Sequence, residues 1–290
     1  MKKRSFSDWS LDIFVYLILS VAGLITLLPL ANVFSKSVSA EWAVISGKVN
    51  IWPVGFQLDT LRNVVTSSVF VQAFAVSVFV TVVGTLLSIF VTAITAYPLS
   101  KRLPGISFVM VLFIFTMLFN GGLIPTYLLI RNLHLLDTLW SLILPAVVNV
   151  FNLLVMKSYY ETLPEALEES ARIDGAKTYA ILFKIILPLS MPVIATISLF
   201  YAVFFWNDYF HPMLYINDEA LKTLQLYLRD VVMQADSATA ASKSIDELMN
   251  MSPEGVRAAT VVASTVPIIC VYPFLQKYFI KGVLVGSVKG

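Results

Sequence analysis

Charge is scarce in this chain. Only 13% of its 290 residues are charged, while 58% are hydrophobic; an ordinary soluble domain is about 25% charged and about 45–50% apolar. A conventional water-soluble domain is therefore excluded, and the surplus apolar surface needs a bilayer as its solvent. Cysteine is limited to Cys270, which excludes an internal disulfide and carries no information on compartment. His134 and His211 are the only histidines, so no zinc-type ligand cluster exists and no metal site is assigned. No GxxxxGK[ST] loop is present to cradle a nucleotide phosphate. The net charge of +2, with no basic run beyond Lys2, Lys3 and Arg4, speaks against nucleic acid. No polar cluster offers catalytic residues, so an enzyme reading has nothing to rest on.

Long apolar runs are what the sequence does have. A spanning helix needs roughly 20 mainly apolar residues. Six windows qualify, at about 12–35, 71–99, 106–130, 138–157, 185–207 and 258–280. The fold class expected is an all-α integral membrane protein with about six transmembrane helices, forming one permease-sized domain over 1–290. The basic start before the first run also fits a signal peptide. Residues 13–34 are longer than a signal core, however, and no small-x-small cleavage site clearly follows. Lys and Arg concentrate on the cytoplasmic side of a membrane protein. With the N-terminus inside, the larger share of the 20 basic residues falls on inner segments, including Lys101 and Arg102 side by side in a short loop. Both termini are then expected in the cytoplasm. The outer segments 36–70 and 208–257 are long and polar. The second carries Asp208, Asp218, Glu219, Asp230, Asp236, Asp246, Glu247 and Glu254, and reads either as a solvated connector or as a surface for an external partner.

Inside the windows, charged residues occur only near the edges, as Asp12, Lys157 and Lys277. Ionisable groups deep in a bilayer mark ion or proton pathways. Their lack in the centres of the spans argues against an ion-coupled secondary transporter, so energy for uphill transport would enter elsewhere. Neutral polar residues are present instead. Ser77, Thr81, Thr85, Ser88, Thr92 and Thr95 recur at spacings of three and four, one stripe on a helix that serves packing or pathway lining. Asn149 and Asn152 share a face of the fourth window and would turn to protein or a cavity, since an amide is costly in lipid. Asn120-Gly121-Gly122 with Pro125 predicts a break in the third window.

The segment at about 161–184, between windows four and five, is the most informative. Thr162 followed by Glu165 fits a capping box, Pro164 suits a first turn, and Gly175 suits a left-handed stop. This predicts a helix of about 11–12 residues, too short to span. Leu163, Ala166, Leu167, Ser170 and Ala171 fall on one face; Glu165, Glu168, Glu169 and Arg172 fall on the other, with Glu168 and Arg172 spaced to pair. Membrane-surface helices favour Lys and Arg on their polar face. This polar face is acidic, so a protein partner is the expectation.

Here the sequence resembles the membrane subunits of bacterial binding-protein-dependent ABC importers. Their signature is Glu-Ala-Ala, three residues, Gly, nine residues, Ile, one residue, Leu-Pro. This chain has Glu169-Ser170-Ala171, Gly175, Ile185 and Leu187-Pro188, departing only in Ser170 for the middle Ala. Gly121-Gly122-Leu123-Ile124-Pro125-Thr126-Tyr127, Trp206-Asn207-Asp208-Tyr209 and the tail at 281–290 resemble the carbohydrate branch, oligosaccharide type. A peptide or amino-acid permease is the nearest alternative. The resemblance implies a coupling helix docked in an ATPase cleft, assigned by position to Glu168, Glu169, Ser170, Ala171, Asp174 and Gly175. It implies two ATPase subunits that carry the ATP and Mg, no cofactor on this chain, a second and different permease subunit, and an external solute-binding protein, all at the bacterial cytoplasmic membrane. Asn120, Asn149, Asn152, Trp206, Asn207, Asp208 and Tyr209 are the candidates for the substrate pathway. If the fifth window is one straight helix, the 21 steps from Ile185 to Trp206 cover about 32 Å and place Trp206 at the outer surface, as a belt anchor or a glycan rim.

Overall fold

The computed structural model describes residues 6–101, 103–234 and 252–287, and every regular element in them is helical. The expectations placed on Lys2, Lys3, Arg4, Arg102, Asp236, Asp246, Glu247 and the last three residues lie outside those described. The chain forms two compact units, one from residues 1–70 with 228–267 and the other from 71–227 with 268–290.

The first unit is built around α1 (Phe6–Ser37), α2 (Glu41–Ile45) and α3 (Asp59–Thr66). The chain after α1 folds back on its last turns. Asn32 Nδ2 donates to the Asn50 carbonyl at 2.7 Å, and Ser35 Oγ donates to the Ile51 carbonyl. Ala43, Val44 and Val49 close a small core beneath this cap. Lys36 pairs with Glu254 at 3.0 Å, and Ser252 Oγ accepts from Gly255 N at 3.0 Å, satisfying an amide in the first turn of α15 (Pro253–Ser287). Helix α15 extends beyond the sixth window at both ends and takes in 281–287 of the tail.

The second unit holds most of α4 (Ser68–Leu99), then α5 (Ile106–Leu118), α6 (Leu123–Asn132), α7 (Trp140–Ile143), α8 (Val150–Tyr160), α9 (Glu165–Ile173), α10 (Thr178–Ile181), α11 (Leu187–Leu189), α12 (Met191–Asn207) and α13 (Phe210–Tyr215); α14 (Leu224–Gln234) follows. Its core packs α8 against α12, with Ile143, Leu153, Met156, Ile181, Ile186, Ile197 and Tyr201 almost fully buried. Helix α4 approaches α12 closely at Gly84. A Cβ there would lie 2.8 Å from the Phe205 ring, so only glycine leaves room.

Among the described residues two helical stretches, Leu11–Ser37 and Ser68–Leu99, are each long and apolar enough to cross a bilayer, and the number is up to five if each of three bent pairs is one span. The break expected in the third window is there: α5 and α6 meet at 110°. Gly122 has φ +90, and its N–H is taken by Asn120 Oδ1 at 2.9 Å. The fourth window is not one helix. The Leu144–Ala146 turn, with Pro145, and the extended Asn149 separate α7 from α8, bent by 48°. The fifth is not straight either. The bend between its halves is 81°, at Ser190, so the 32 Å estimate fails and α12 alone spans about 26 Å. Two prolines explain this. Pro188 lacks an N–H and its ring crowds the carbonyl of Lys184, and the turns over Leu182–Ile186 open to π geometry. Pro192 then sits in the first turn of α12, where its missing N–H costs nothing.

Candidate functional site

Two places in the second unit gather the residues singled out by the sequence. The first is α9. It begins at Glu165, later than expected, because Thr162 Oγ1 donates back to Tyr159 O at 2.7 Å and closes α8 instead of capping α9. Its end is as expected. Gly175 has φ +81, Gly175 N donates to Arg172 O at 3.0 Å and Ala176 N to Ala171 O at 2.9 Å, the two bonds of a Schellman stop.

The faces of α9 differ from the expectation in one respect. Ala166, Leu167, Glu169 and Ser170 are exposed, while Glu168, expected on the polar outer face, is buried beside Ala171. Buried carboxylates need partners. Glu168 Oε1 takes the Lys101 ammonium, and Oε2 accepts from the Tyr97 hydroxyl at 3.2 Å. Lys101 also lies 4.7 Å from the Tyr97 ring centroid. Arg172 reaches Glu168 at 3.9 Å, the i,i+4 pair foreseen from spacing. The neighbouring glutamates therefore do different things: Glu168 is held inside the chain, and Glu169 points outward. Asp174 caps the helix end through its backbone and is exposed.

The second place is a cavity of about 510 Å3 lined by Ser141, Asn149, Asn152, Tyr201, His211 and the rings of Phe151, Phe200 and Phe204, with aliphatic residues between. Its polar groups are fixed by the breaks in the helices. Asn149 is the N-cap of α8, its Oδ1 accepting from Asn152 N at 3.1 Å. The Tyr201 hydroxyl accepts from Asn149 N at 3.1 Å and shares a hydrogen bond of 2.8 Å with Thr92 Oγ1 of α4.

Asp208 serves the cavity indirectly. Its Oδ1 accepts from Phe210 N and His211 N at 3.1 and 3.2 Å, and its Oδ2 accepts from His211 Nδ1 at 2.8 Å. A carboxylate can only accept, so Nδ1 carries a proton. The hydrogen bond to Asp208 raises the His211 pKa above its ordinary value; burial opposes it and the Asp208 charge assists. In the protonated form Nε2 also becomes a donor beside the cavity.

The other pathway candidates are not gathered here. The Trp206 ring packs edge-on to Phe74 of α4 at 6.0 Å, Asn207 Nδ2 donates to Val203 O within its own helix, and Asn120 caps the α5–α6 break. Tyr209 is exposed and lies outside the cavity lining. His211 was missed by the sequence reading, although an Asp just ahead of a short helix commonly takes its first free amides, which brings Asp208 beside His211.

These features define an integral membrane protein with interrupted, polar-lined spans and a short acidic helix, a permease architecture. A sequence model described as a binding-protein-dependent transport system inner membrane component matches residues 90–285. Protein LplC of Bacillus subtilis is 46% identical over 282 residues, 96% of this chain and 95% of LplC. The polygalacturonan/rhamnogalacturonan transport system permease protein YtcP of the same organism is 44% identical and covered in full on both sides. A crystal structure of a bacterial ABC transporter involved in the import of the acidic polysaccharide alginate contains a chain with TM-score 0.89 and 34% identity, covering 96% of this chain and 100% of that one. The chain belongs to the family of binding-protein-dependent transport system inner membrane components. It is a permease subunit, a transport component and not an enzyme.

Proposed function

We propose that this chain forms half of the translocation channel of an ATP-driven importer for a sugar or oligosaccharide handed over by an external solute-binding protein. The observation that carries this reading is α9: an exposed Glu169 on a short helix closed by a left-handed glycine, in the spacing of the family signature. In this reading the chain crosses the membrane six times with both termini in the cytoplasm. Helix α9 docks into an ATPase subunit, and a second, different permease completes the channel. ATP and Mg are held by the two ATPase subunits. ATP-driven closure of those subunits moves α9, and the channel switches from inward-facing to outward-facing.

The cavity supports the choice of cargo. Amide, hydroxyl and imidazole groups set among aromatic faces are what a polyhydroxylated ring needs for hydrogen bonding and stacking. The names of the relatives point the same way, since YtcP is named for polygalacturonan/rhamnogalacturonan transport and the structural neighbour for import of the acidic polysaccharide alginate. Asn149, Asn152 and His211 are the groups assigned to the cargo, with Asp208 positioning His211.

A mild-detergent pull-down of the tagged chain with mass spectrometry tests the assembly. Recovery of an ATPase and a second permease is expected; recovery of the chain alone, in a detergent that preserves such complexes, counts against the reading. Gly175→Lys tests α9 within it. The open space around Gly175 accepts the side chain, but φ +81 strains any residue except glycine. Sugar uptake is expected to fall at least tenfold, about 1.4 kcal/mol in coupling; uptake at the unsubstituted rate rejects the role given to α9.

A further inference from the structure

Helix α4 is fastened to both functional places by side chains. At one level Thr92 Oγ1 is hydrogen-bonded to the Tyr201 hydroxyl, which in turn holds Asn149 N at the cavity. Thr92 is fully buried and Tyr201 is 1% exposed, so neither bond competes with water. Near its end Tyr97 and Lys101 hold Glu168 of α9. Thr92 and Tyr97 are five residues apart, about 7.5 Å along the same helix. Pro98 lacks the N–H that would bond the Ile94 carbonyl, so one backbone hydrogen bond is missing from the turn that carries Tyr97. Between these points and the opposite end, Thr81, Thr85 and Ser88 make no side-chain hydrogen bond among the described residues, so the hydroxyl stripe grips at particular positions and not along its whole length.

A covalent route from α9 to the cavity also exists, because α8 runs from the Asn149 cap to Tyr160 and residues 161–164 lead into α9. Those linking residues are not helical and would let α9 pivot. The Glu168 clamp lies beyond that pivot and removes the freedom.

We propose that the last two turns of α4 carry movement of α9 to the cavity, gripped by Glu168 through Tyr97 and Lys101 and, five residues before Tyr97, by Tyr201 through Thr92. Glu168 and Thr92 are positioning residues: neither is assigned contact with cargo or nucleotide. The proposal rests on α9 being the ATPase contact, as read above.

The test uses the complete importer reconstituted in vesicles, with sugar transported per ATP hydrolysed as the readout. Glu168→Gln keeps the shape and weakens the ion pair; Thr92→Val keeps the shape and removes the hydroxyl. Each is expected to lower the ratio about fivefold, in the range of ordinary coupling energies. Because both clamps lie on one path, the double variant is expected to match the singles. A double loss near the product of the two singles means independent action and overturns the proposal. Unchanged ratios overturn it as well. Thr92→Ser, which restores the hydroxyl, is expected to recover the ratio. A purely structural role would lower the yield of assembled complex and leave the ratio alone, and that outcome overturns the proposal. Failure of the α9 reading is distinct: the unsubstituted chain would then bring down no ATPase.

Discussion

Helices α1 and α4 have the same length, 32 residues, and their most apolar stretches have the same mean hydropathy of 2.5. They are otherwise opposites. The apolar stretch of α1 has none of its residues buried within the chain, and that of α4 has 22%. Thr26 of α1 donates only to its own backbone, at Gly23 and Ala22, while Thr92 of α4 bonds across to Tyr201. Hydropathy fixes that a helix can cross a bilayer. The placement of a few small and hydroxyl residues fixes whether it becomes part of the machinery.

Matched substitutions in the two helices sharpen this contrast. The largest effect is expected from glycine. Gly84→Leu forces a side chain into the Phe205 ring and is expected to cost about 3 kcal/mol, read as a lower unfolding temperature in detergent. Gly23→Leu meets nothing within 4 Å and is expected to change stability by less than about 0.5 kcal/mol. Equal losses at both positions would erase the distinction. The hydroxyl pair comes next. Thr92→Val is expected to cost about 1 kcal/mol through the lost buried hydrogen bond, while Thr26→Val is close to neutral.

The smallest effect concerns α13, where a polar contact is set by pH. The His211 pKa is raised in the folded chain, so its pairing with Asp208 stabilises fully below the unfolded value of about 6.5 and fades as pH rises through the raised value. Amide exchange in α13, corrected for its intrinsic pH dependence, is expected to be better protected at pH 6 than at pH 8. Asp208→Asn should flatten that difference, and a difference that survives the substitution would reject the pairing as its cause.

Local chemistry was legible in the sequence and cross-chain chemistry was not. The left-handed stop at Gly175 and the break after Asn120 follow from residues next to one another, because only glycine tolerates those backbone angles cheaply. The first two apolar windows coincide with long helices to within about six residues at each end, since an apolar run of that length favours one continuous helix. Glu168 looked like its neighbour Glu169 because its fate is decided by Lys101, 67 positions away, and Tyr97, 71 positions away. Asn149 looked like a mid-helix amide because Pro145 sits in an apolar run that reads as continuous. Ser190 gave no sign of a hinge, although Pro188 and Pro192 on either side of it supply the cause.

The wide turn over Leu182–Ile186 gives the chain an angular offset. A π turn consumes more residues than an α turn, and each additional residue rotates everything after it by about 100°. Side chains beyond it thus fall out of register with any helical wheel drawn from α10. Restoring ordinary helix there by replacing Pro188 would act as a frameshift acts on a message: the letters downstream stay the same, but the face they spell, Tyr201 and Phe205 toward α4, would point elsewhere.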